Sequence, residues 1–513
     1  MSCREDNQGS GSDGALTEWF EQADPAGTSK ATSIHSLCAE ILACIFEFYV
    51  SDGDEVAWSL CYICRLWRQL ALSTPTLWNK IAINAESSLN YGSARYQWDV
   101  PGLTLPKYSS RGYQLCFTAE QLKEALRLTG SVGLVVDFNY HILGDSSDLN
   151  QGLEMLDLVL SPHYSGRLIE FDLTFCGTTP SRVIESYHEE EWSYSFPKLQ
   201  TLQLRVDSCF FRNALLRRFS TSPVLRDVGI GNPAFSGPLD LCPSLLPMWS
   251  RLETLHLWAV LPEELNAILP HLTQLKSLGG LPCHWPNEHT PPTTFPHLEE
   301  IRLSCDPNYI SSLSLPKLSF LCILDTVDDV NRHLGVETPH KAHIFPTVEV
   351  LTADTRYPNW LSKFEFPKVH NFKLLDSLRT PTPALPVQCD LMPLSHPHSL
   401  KTFSLNGRWS EPQLCDALSK TNNLEVFVLQ PYKKYTRGLN RTLTGEGEGV
   451  PIACPKLKEI RCSFGPAKQV PDKNVIWNQL LQIEEARRTL GRPITVHEGS
   501  CGLSAASFPS HLL

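Results

Sequence analysis

Apolar residues recur at helical spacing near the start of the chain. Between residues 33 and 85 the segments "LCAEILACIF" and "LCYICRLWRQLA" each carry one apolar stripe, which predicts two amphipathic helices. Pro75 follows the second stripe and disfavours helical geometry at Thr74, so the helix should end there. Helices this short bury little core between them. We therefore expect this segment to pack against a partner or a neighbouring domain.

A second pattern begins near residue 165. An aromatic or small residue, often followed by Pro, precedes L-x-x-L-x-L, as in "FPKLQTLQL" and "FPHLEEIRL". The last four residues alternate as in a strand, with leucines on one face and polar residues on the other. The first apolar positions are 168, 199, 225, 252, 298, 318, 348, 369, 400, 424 and 457, with a weaker instance at 275. Self-similarity at this period predicts a leucine-rich-repeat solenoid.

Helical segments lie between these predicted strands. "FFRNALLRRFS" and "EPQLCDALSKT" would pack behind the sheet, and "NVIWNQLLQIEEARRTL", closed by Gly491, would cap the last repeat. The repeat spacing varies and the usual asparagine after the strand is missing, which indicates an irregular horseshoe. The predicted fold class is an α/β solenoid preceded by a small all-α module.

These patterns divide the chain into five segments. We expect a disordered N-terminus at 1–32, a helical domain at 33–85, repeats with a capping helix at 165–498 and a flexible tail at 499–513. Residues 86–164 could be a linker or degenerate first repeats. Within them, "FTAEQLKEALRLTG" predicts a capped helix and "SVGLVVDF" a buried strand.

Composition excludes several classes of function. A net charge of −11 without a basic block argues against nucleic-acid and anionic-membrane binding. The N-terminal stretch is polar rather than signal-like, and the 17 cysteines are odd in number and scattered, as in reduced cytoplasmic or nuclear proteins. Cys61 and Cys64 form a C-x-x-C without a second ligand pair, so we interpret them as structural thiols. No residues suggest a metal, a cofactor or a catalytic constellation.

The string "ICRLWRQLALSTPTLW", residues 63–78, carries a family resemblance. Together with "LCAEILACIF" it resembles the F-box motif, especially its fungal F-box-like form, over about 45 residues. The resemblance implies docking to the Skp-type adaptor of a Skp–cullin–F-box ubiquitin ligase, with a cullin recruited through that adaptor. It also implies that the repeats read an unknown protein client, so that the chain is not itself an enzyme. The implied adaptor-binding residues are Leu37, Glu40, Ile41, Ile45, Phe46, Ile63, Cys64, Trp67, Leu70, Pro75, Leu77 and Trp78.

One position departs from the motif. The family has proline after the residue corresponding to Leu37, and this chain has Cys38. Proline is pre-organised for a first helical turn, so its loss loosens the helix entry. This departure keeps open an alternative function, a stand-alone leucine-rich-repeat scaffold with a vestigial F-box.

Strand alternation also predicts which repeat residues face a client. Polar residues between the inward leucines should line the concave face of the horseshoe, and mixed charges there do not identify the client. The candidate client-binding residues are Gln203, His256, Glu300, Arg302, Lys373 and Arg461.

Overall fold

A computed structural model provides the coordinates of the chain. It describes residues 37–52, 57–84, 114–116, 118–141, 146–176, 195–231, 245–258, 267–281, 293–303, 313–323, 343–354, 364–375, 396–406, 411–430, 437–446, 451–462 and 473–498, with Ile34, Ile310 and Leu394. The predicted disordered segment 1–32 and the predicted tail 499–513 lie outside these described residues.

Three helices and a 3₁₀ turn open the described chain: α1 (Ala39–Asp52), α2 (Ala57–Ile63), α3 (Arg65–Ser73) and the turn Pro75–Trp78. The second apolar stripe was predicted as one helix, but Cys64 divides it. The backbone of Cys64 is extended (φ −157°, ψ 171°), and its Sγ accepts the Trp67 N–H at 3.5 Å as the N-cap of α3. Helix α3 ends one residue before Thr74, as Pro75 predicts.

A sixteen-stranded sheet follows, and every neighbouring pair in it is parallel. Its order is β2-β1-β3-β4-β5-β6-β7-β8-β10-β12-β14-β16-β17-β18-β19-β20. The strands are β1 (Lys80–Asn84), β2 (Gln114–Cys116), β3 (Leu134–His141), β4 (Leu168–Cys176), β5 (Thr201–Val206), β6 (Asp227–Gly231), β7 (Thr254–Trp258), β8 (Ser277–Leu281), β10 (Glu300–Leu303), β12 (Phe320–Ile323), β14 (Val350–Asp354), β16 (Asn371–Leu375), β17 (Thr402–Asn406), β18 (Val426–Gln430), β19 (Glu459–Cys462) and β20 (Thr495–Glu498). Four two-residue strands, β9 (Thr293–Thr294), β11 (Leu313–Ser314), β13 (His343–Ile344) and β15 (Phe364–Glu365), form two further small parallel sheets.

The predicted repeat strands are present. Each of the twelve L-x-x-L-x-L segments, including the weaker one at residue 275, contributes one strand to the large sheet. Backbone hydrogen bonds just before each strand join successive repeats, such as Glu253 N to Arg226 O at 2.9 Å and Lys276 N to Glu253 O at 2.7 Å. A parallel sheet of this order, with helices between its strands, confirms an α/β solenoid-like fold.

The sheet begins before the repeats predicted at residue 165. Strand β1 pairs with both β2 and β3, and β3 pairs with β4, so residues 80–84 and 134–141 belong to the same sheet as the later strands. The helix predicted from "FTAEQLKEALRLTG" is α4 (Ala119–Leu128), and its N-cap Thr118 accepts the Gln121 N–H at 3.2 Å. Both elements predicted within residues 86–164 are therefore present.

Further helices lie between the strands: α5 (Ser146–Leu160), α6 (Pro162–Ser165), α7 (Cys209–Phe219), α8 (Leu246–Trp249), α9 (Glu411–Ser419), α10 (Arg437–Thr444) and α11 (Lys473–Thr489). Their apolar side chains and alternate strand residues form one continuous core. Helix α11 is held by Arg487, which is fully buried and donates to Leu443 O at 2.9 Å and Cys454 O at 3.2 Å. This helix ends before Gly491, whose φ of +69° suits glycine.

Candidate docking surfaces

Helix α1 is apolar on two faces. Leu42, Phe46 and Val50, spaced four residues apart, are each less than 5% exposed, and Phe46 and Val50 belong to the core that the helices form. The other face carries Ile41, Ile45 and Phe48, and Ile34 and Leu37 precede the helix; each of these side chains is 39–69% exposed. Isolated exposed apolar residues are ordinary, but a stripe repeated over two helical turns is typical of a protein–protein contact.

The junction of α2 and α3 adds further exposed apolar residues. Tyr62, Ile63 and Leu66 are all more than 40% exposed. Arg68 Nε donates to Cys61 O at 2.8 Å and so joins the two helices across Cys64. We call the residues Leu37, Ile41, Ile45, Phe48, Tyr62, Ile63 and Leu66 the helical docking surface.

Three of the predicted adaptor-binding residues lie in the interior instead. Phe46, Leu77 and Trp78 are at most 2% exposed. Trp78 Nε1 donates to Ala71 O at 2.8 Å, and its cluster includes Leu128 of α4, so it links the helices to the sheet domain. Their assignment to the contact surface therefore does not hold, because these side chains form the core of the helical segment.

Four other predicted residues are half-buried at the edge of the same core: Cys64, Trp67, Leu70 and Pro75. The Trp67 ring packs on Phe46 with centroids 4.7 Å apart, tilted by 54°. Trp67 Nε1 has no hydrogen-bond acceptor among the described residues. Trp67 therefore packs beneath the helical docking surface and adds little exposed area to it.

Glu40 is exposed in the first turn of α1. Its own backbone N–H and the Cys38 side chain hydrogen-bond to its carboxylate and lower the pKa of Glu40. A carboxylate is also favoured at a helix N-terminus. Cys38, at the position where the family has proline, is itself exposed.

The predicted client-binding residues are aligned by the sheet register. Five of them, Gln203, His256, Arg302, Lys373 and Arg461, lie in one row that crosses the strands from β5 to β19. We call this side of the sheet, opposite the helix-covered core, the polar face. Glu300 lies on the same face, two residues before Arg302.

Gln203 and His256 are less accessible than alternation predicts, at 8% and 2% exposed. The His256 ring occupies the space above Gly279, where an added Cβ would lie 2.3 Å from His256 Nδ1. Gln203 Nε2 approaches Asp227 Oδ1 at 3.5 Å. Neighbouring residues of the sheet, rather than solvent, therefore surround both side chains. The prediction that these two residues present free surface does not hold.

The remaining four predicted residues are half-buried or exposed. Arg302 pairs with Glu300 and stacks 4.8 Å from the centroid of the Phe320 ring. Arg461, which is exposed, binds both carboxylate oxygens of Glu459 at 2.7 and 2.9 Å. Lys373 is half-buried. Both arginines are therefore neutralised by an acid two residues earlier on the same strand.

The other half of the polar face holds acids that sequence reasoning did not single out. Asp137, Glu170, Asp172 and Asp227 lie on β3, β4 and β6, with Arg205 on β5. Burial raises the pKa of Asp137 and of Asp227 to about 7, and it raises the pKa of Asp172 as well. The sequence signal for these acids is an acidic residue at an outward strand position, as in "VVDFN" and "IEFDL". The same pattern is expected of any sheet face that is exposed to solvent.

Within the described part of the chain, no group of His, Cys, Asp and Glu side chains is arranged to hold a metal ion. Across the same residues, no helix combines the length and apolarity needed to span a bilayer.

Comparisons with known proteins add little. No protein-family model matches this chain, and no curated protein is similar to it. Among solved structures, the chain is similar to one described as the crystal structure of Rad7 and Elc1 complex in yeast. The identity is 16% and the TM-score 0.28, over 58% of this chain and 77% of the other.

Proposed function

We propose that this chain is a non-catalytic substrate-recognition subunit of a Skp–cullin–F-box ubiquitin ligase. The observation that carries the proposal is the helical docking surface, the exposed apolar residues of α1 and of the α2–α3 junction. The F-box resemblance of residues 37–78 supports a Skp-type adaptor as its occupant. The repeats would then bind the client protein.

The geometry of α1 supports this assignment. Its Leu42 face is used by the chain itself, and its Ile41 face is left to solvent. Covering an exposed isoleucine or leucine removes apolar area worth about 1.5–3 kcal/mol per fully buried side chain. A handful of such residues is enough to anchor an interface, because a few central side chains carry most binding energy.

The proposed mechanism is proximity rather than chemistry. The chain would hold a lysine-bearing client near ubiquitin that is carried by a conjugating enzyme on the cullin arm. Binding both at once replaces a bimolecular encounter with an effective concentration set by the geometry of the assembly. No residue of this chain is then required to transfer a proton or form a covalent intermediate.

A pull-down with a purified Skp-type adaptor tests the proposal. The double variant Ile41→Asp/Ile45→Asp should lose the adaptor, because two carboxylates would be buried in an apolar contact. The matched control is Val475→Asp/Leu481→Asp on α11, since these residues are 38% and 40% exposed. Retention of the adaptor by the first variant, or equal loss by both, would overturn the assignment.

A stand-alone repeat scaffold is the second candidate. It is favoured by Cys38 and by the burial of Phe46, Leu77 and Trp78, which leaves the chain without exposed apolar anchors at three motif positions. In that case the wild-type chain would not retain the adaptor at micromolar concentrations. Restoring the motif with Cys38→Pro separates the two functions, because it should strengthen adaptor binding only if the interface is used.

A further inference from the structure

The exposed face of α1 includes a thiol among its apolar residues. Cys44 lies three residues after Ile41, one before Ile45 and four before Phe48, so the four side chains share one helix face. Cys44 is exposed, and Ile41 and Phe48 are 48% and 69% exposed. An apolar face of this kind is normally covered by another segment or another molecule. The thiol can report which of these covers it.

Two cations border the same surface. Arg65 and Arg68 are exposed in the first turn of α3, beside the docking residues of the α2–α3 junction. Arg68 Nε donates to a backbone carbonyl, that of Cys61, and neither guanidinium forms an ion pair with an acid among the described residues. The α1 side carries Glu40, so the cationic border is confined to α3. A polypeptide that is both apolar and acidic would complement this side of the surface.

The sequence just before the described helices has this character. The stretch "ALTEWFEQA", residues 15–23, contains the large apolar residues found between positions 2 and 33, and two glutamates alternate with them. Their spacing is i, i+3 and i+4, as on one face of a helix. These apolar residues are Leu16, Trp19 and Phe20. We call residues 15–23 the N-terminal apolar segment.

The connection to α1 is long enough for contact within one molecule. Residues 24–33, "DPAGTSKATS", join the N-terminal apolar segment to Ile34, which immediately precedes the helical docking surface. Ten residues of this small and polar composition span about 17 Å on average. Helix α1 has 14 residues and is therefore about 21 Å long. The segment can thus reach the whole surface, and the tether presents it at an effective concentration on the order of millimolar.

We propose that the N-terminal apolar segment binds the helical docking surface of its own chain and competes with the partner of that surface. In this arrangement its two aromatic rings cover the exposed apolar residues of α1, and its glutamates lie near the cations of α3. The exposed apolar face, the length of the tether and the charge complementarity carry this inference. As regulation of a ligase subunit, it rests on the proposed function. The intramolecular contact itself requires no adaptor.

Alkylation of Cys44 measures this contact directly. The full chain is treated with iodoacetamide, and mass spectrometry of its peptides gives the alkylation rate of each thiol. We expect the Cys44 rate to rise about threefold or more in Trp19→Ala/Phe20→Ala, because the rate follows the fraction of molecules in which the surface is uncovered. Cys415 on α9 is half-buried and far from residue 44 in the repeat order, so its rate should not change.

The matched control is Leu503→Ala/Phe508→Ala, which removes two apolar side chains from residues 499–513 and should leave the Cys44 rate unchanged. An unchanged Cys44 rate in Trp19→Ala/Phe20→Ala, or an equal rise in the control, would overturn the proposal. Protection of Cys44 that increases with protein concentration would also overturn it, because a second copy of the chain would then cover the face.

Titration of purified Skp-type adaptor separates this proposal from the proposed function. Trp19→Ala/Phe20→Ala should lower the apparent Kd for the adaptor by the same factor by which the Cys44 rate rises, because the adaptor no longer has to displace the segment. A raised Cys44 rate without adaptor binding would support the intramolecular contact and contradict the ligase assignment. Adaptor binding with an unchanged Cys44 rate would have the opposite meaning.

Discussion

Substitutions of Trp78 test whether this tryptophan has a structural role or belongs to the docking surface. It is fully buried, and its indole N–H donates to Ala71 O. A buried tryptophan removes on the order of 200 Å² from water, which at about 25 cal/mol per Å² corresponds to about 5 kcal/mol. We therefore expect Trp78→Ala to destabilise the helical segment by about 3–5 kcal/mol, because the surrounding core would collapse only partly.

The hydrogen bond contributes separately. Trp78→Phe keeps most of the apolar volume but leaves Ala71 O without its indole donor, so we expect a smaller loss of about 1–3 kcal/mol. Tyr62→Ala is the control, because that side chain is 79% exposed. Its effect should stay within about 0.5 kcal/mol.

Amide hydrogen exchange of peptides from α1 to α3 is the appropriate assay, because a repeat array does not unfold in one two-state transition and exchange reports the opening of this segment alone. Faster exchange in Trp78→Ala, intermediate in Trp78→Phe and unchanged in Tyr62→Ala, is the expected order. Unchanged exchange in Trp78→Ala would refute the burial argument and return this indole to the docking surface.

Three further substitutions test the electrostatics and packing of the sheet domain. Burial and nearby Glu170 raise the pKa of Asp227 to about 7, so the native state holds a proton that the unfolded chain releases, and stability is lost as pH rises from about 4 to 7. Asp227→Asn should therefore stabilise β6 against opening by about 1–2 kcal/mol at pH 8 and little at pH 4, and amide exchange of β6 peptides that shows the same gain at both values would contradict this. Arg487→Met should destabilise the packing of α11 by at least about 2 kcal/mol and accelerate hydrogen exchange in this helix, because three backbone carbonyls lose a buried donor. An unaltered exchange rate would exclude this role. Gly280→Ala should lower the thermal midpoint, because at φ +140° its Cβ would lie 1.7 Å from Leu257 O; an unchanged midpoint would show that the strand adjusts at no cost.

The strands were predictable from sequence because leucines and valines at fixed spacing have one simple packing solution. Every L-x-x-L-x-L segment forms a strand, and the helices from "FTAEQLKEALRLTG" and "NVIWNQLLQIEEARRTL" lie where the pattern placed them. Strand pairing before residue 165 was not predictable. Strand β1 pairs with β3, about 50 residues later, and local alternation does not specify such a partner.

The docking surface was only partly predictable, for a physical reason. The single apolar stripe predicted for α1 includes Leu42 and Phe46 and also the adjacent Ile41 and Ile45, so periodicity does not show which side of that stripe the chain buries. A motif match cannot make this distinction either, because Trp78 matches as well as Ile41 does. The division of the second helix at Cys64 depends on a side-chain cap that thiols rarely provide.

The most direct test of the central claim is the exchange footprint of a Skp-type adaptor on the wild-type chain. We expect saturating adaptor to slow amide exchange in peptides covering 37–52 and 57–73 and to leave exchange in the strands from β4 to β19 unchanged. Exchange in α1 to α3 that is identical with and without adaptor would contradict the claim that another polypeptide covers this surface.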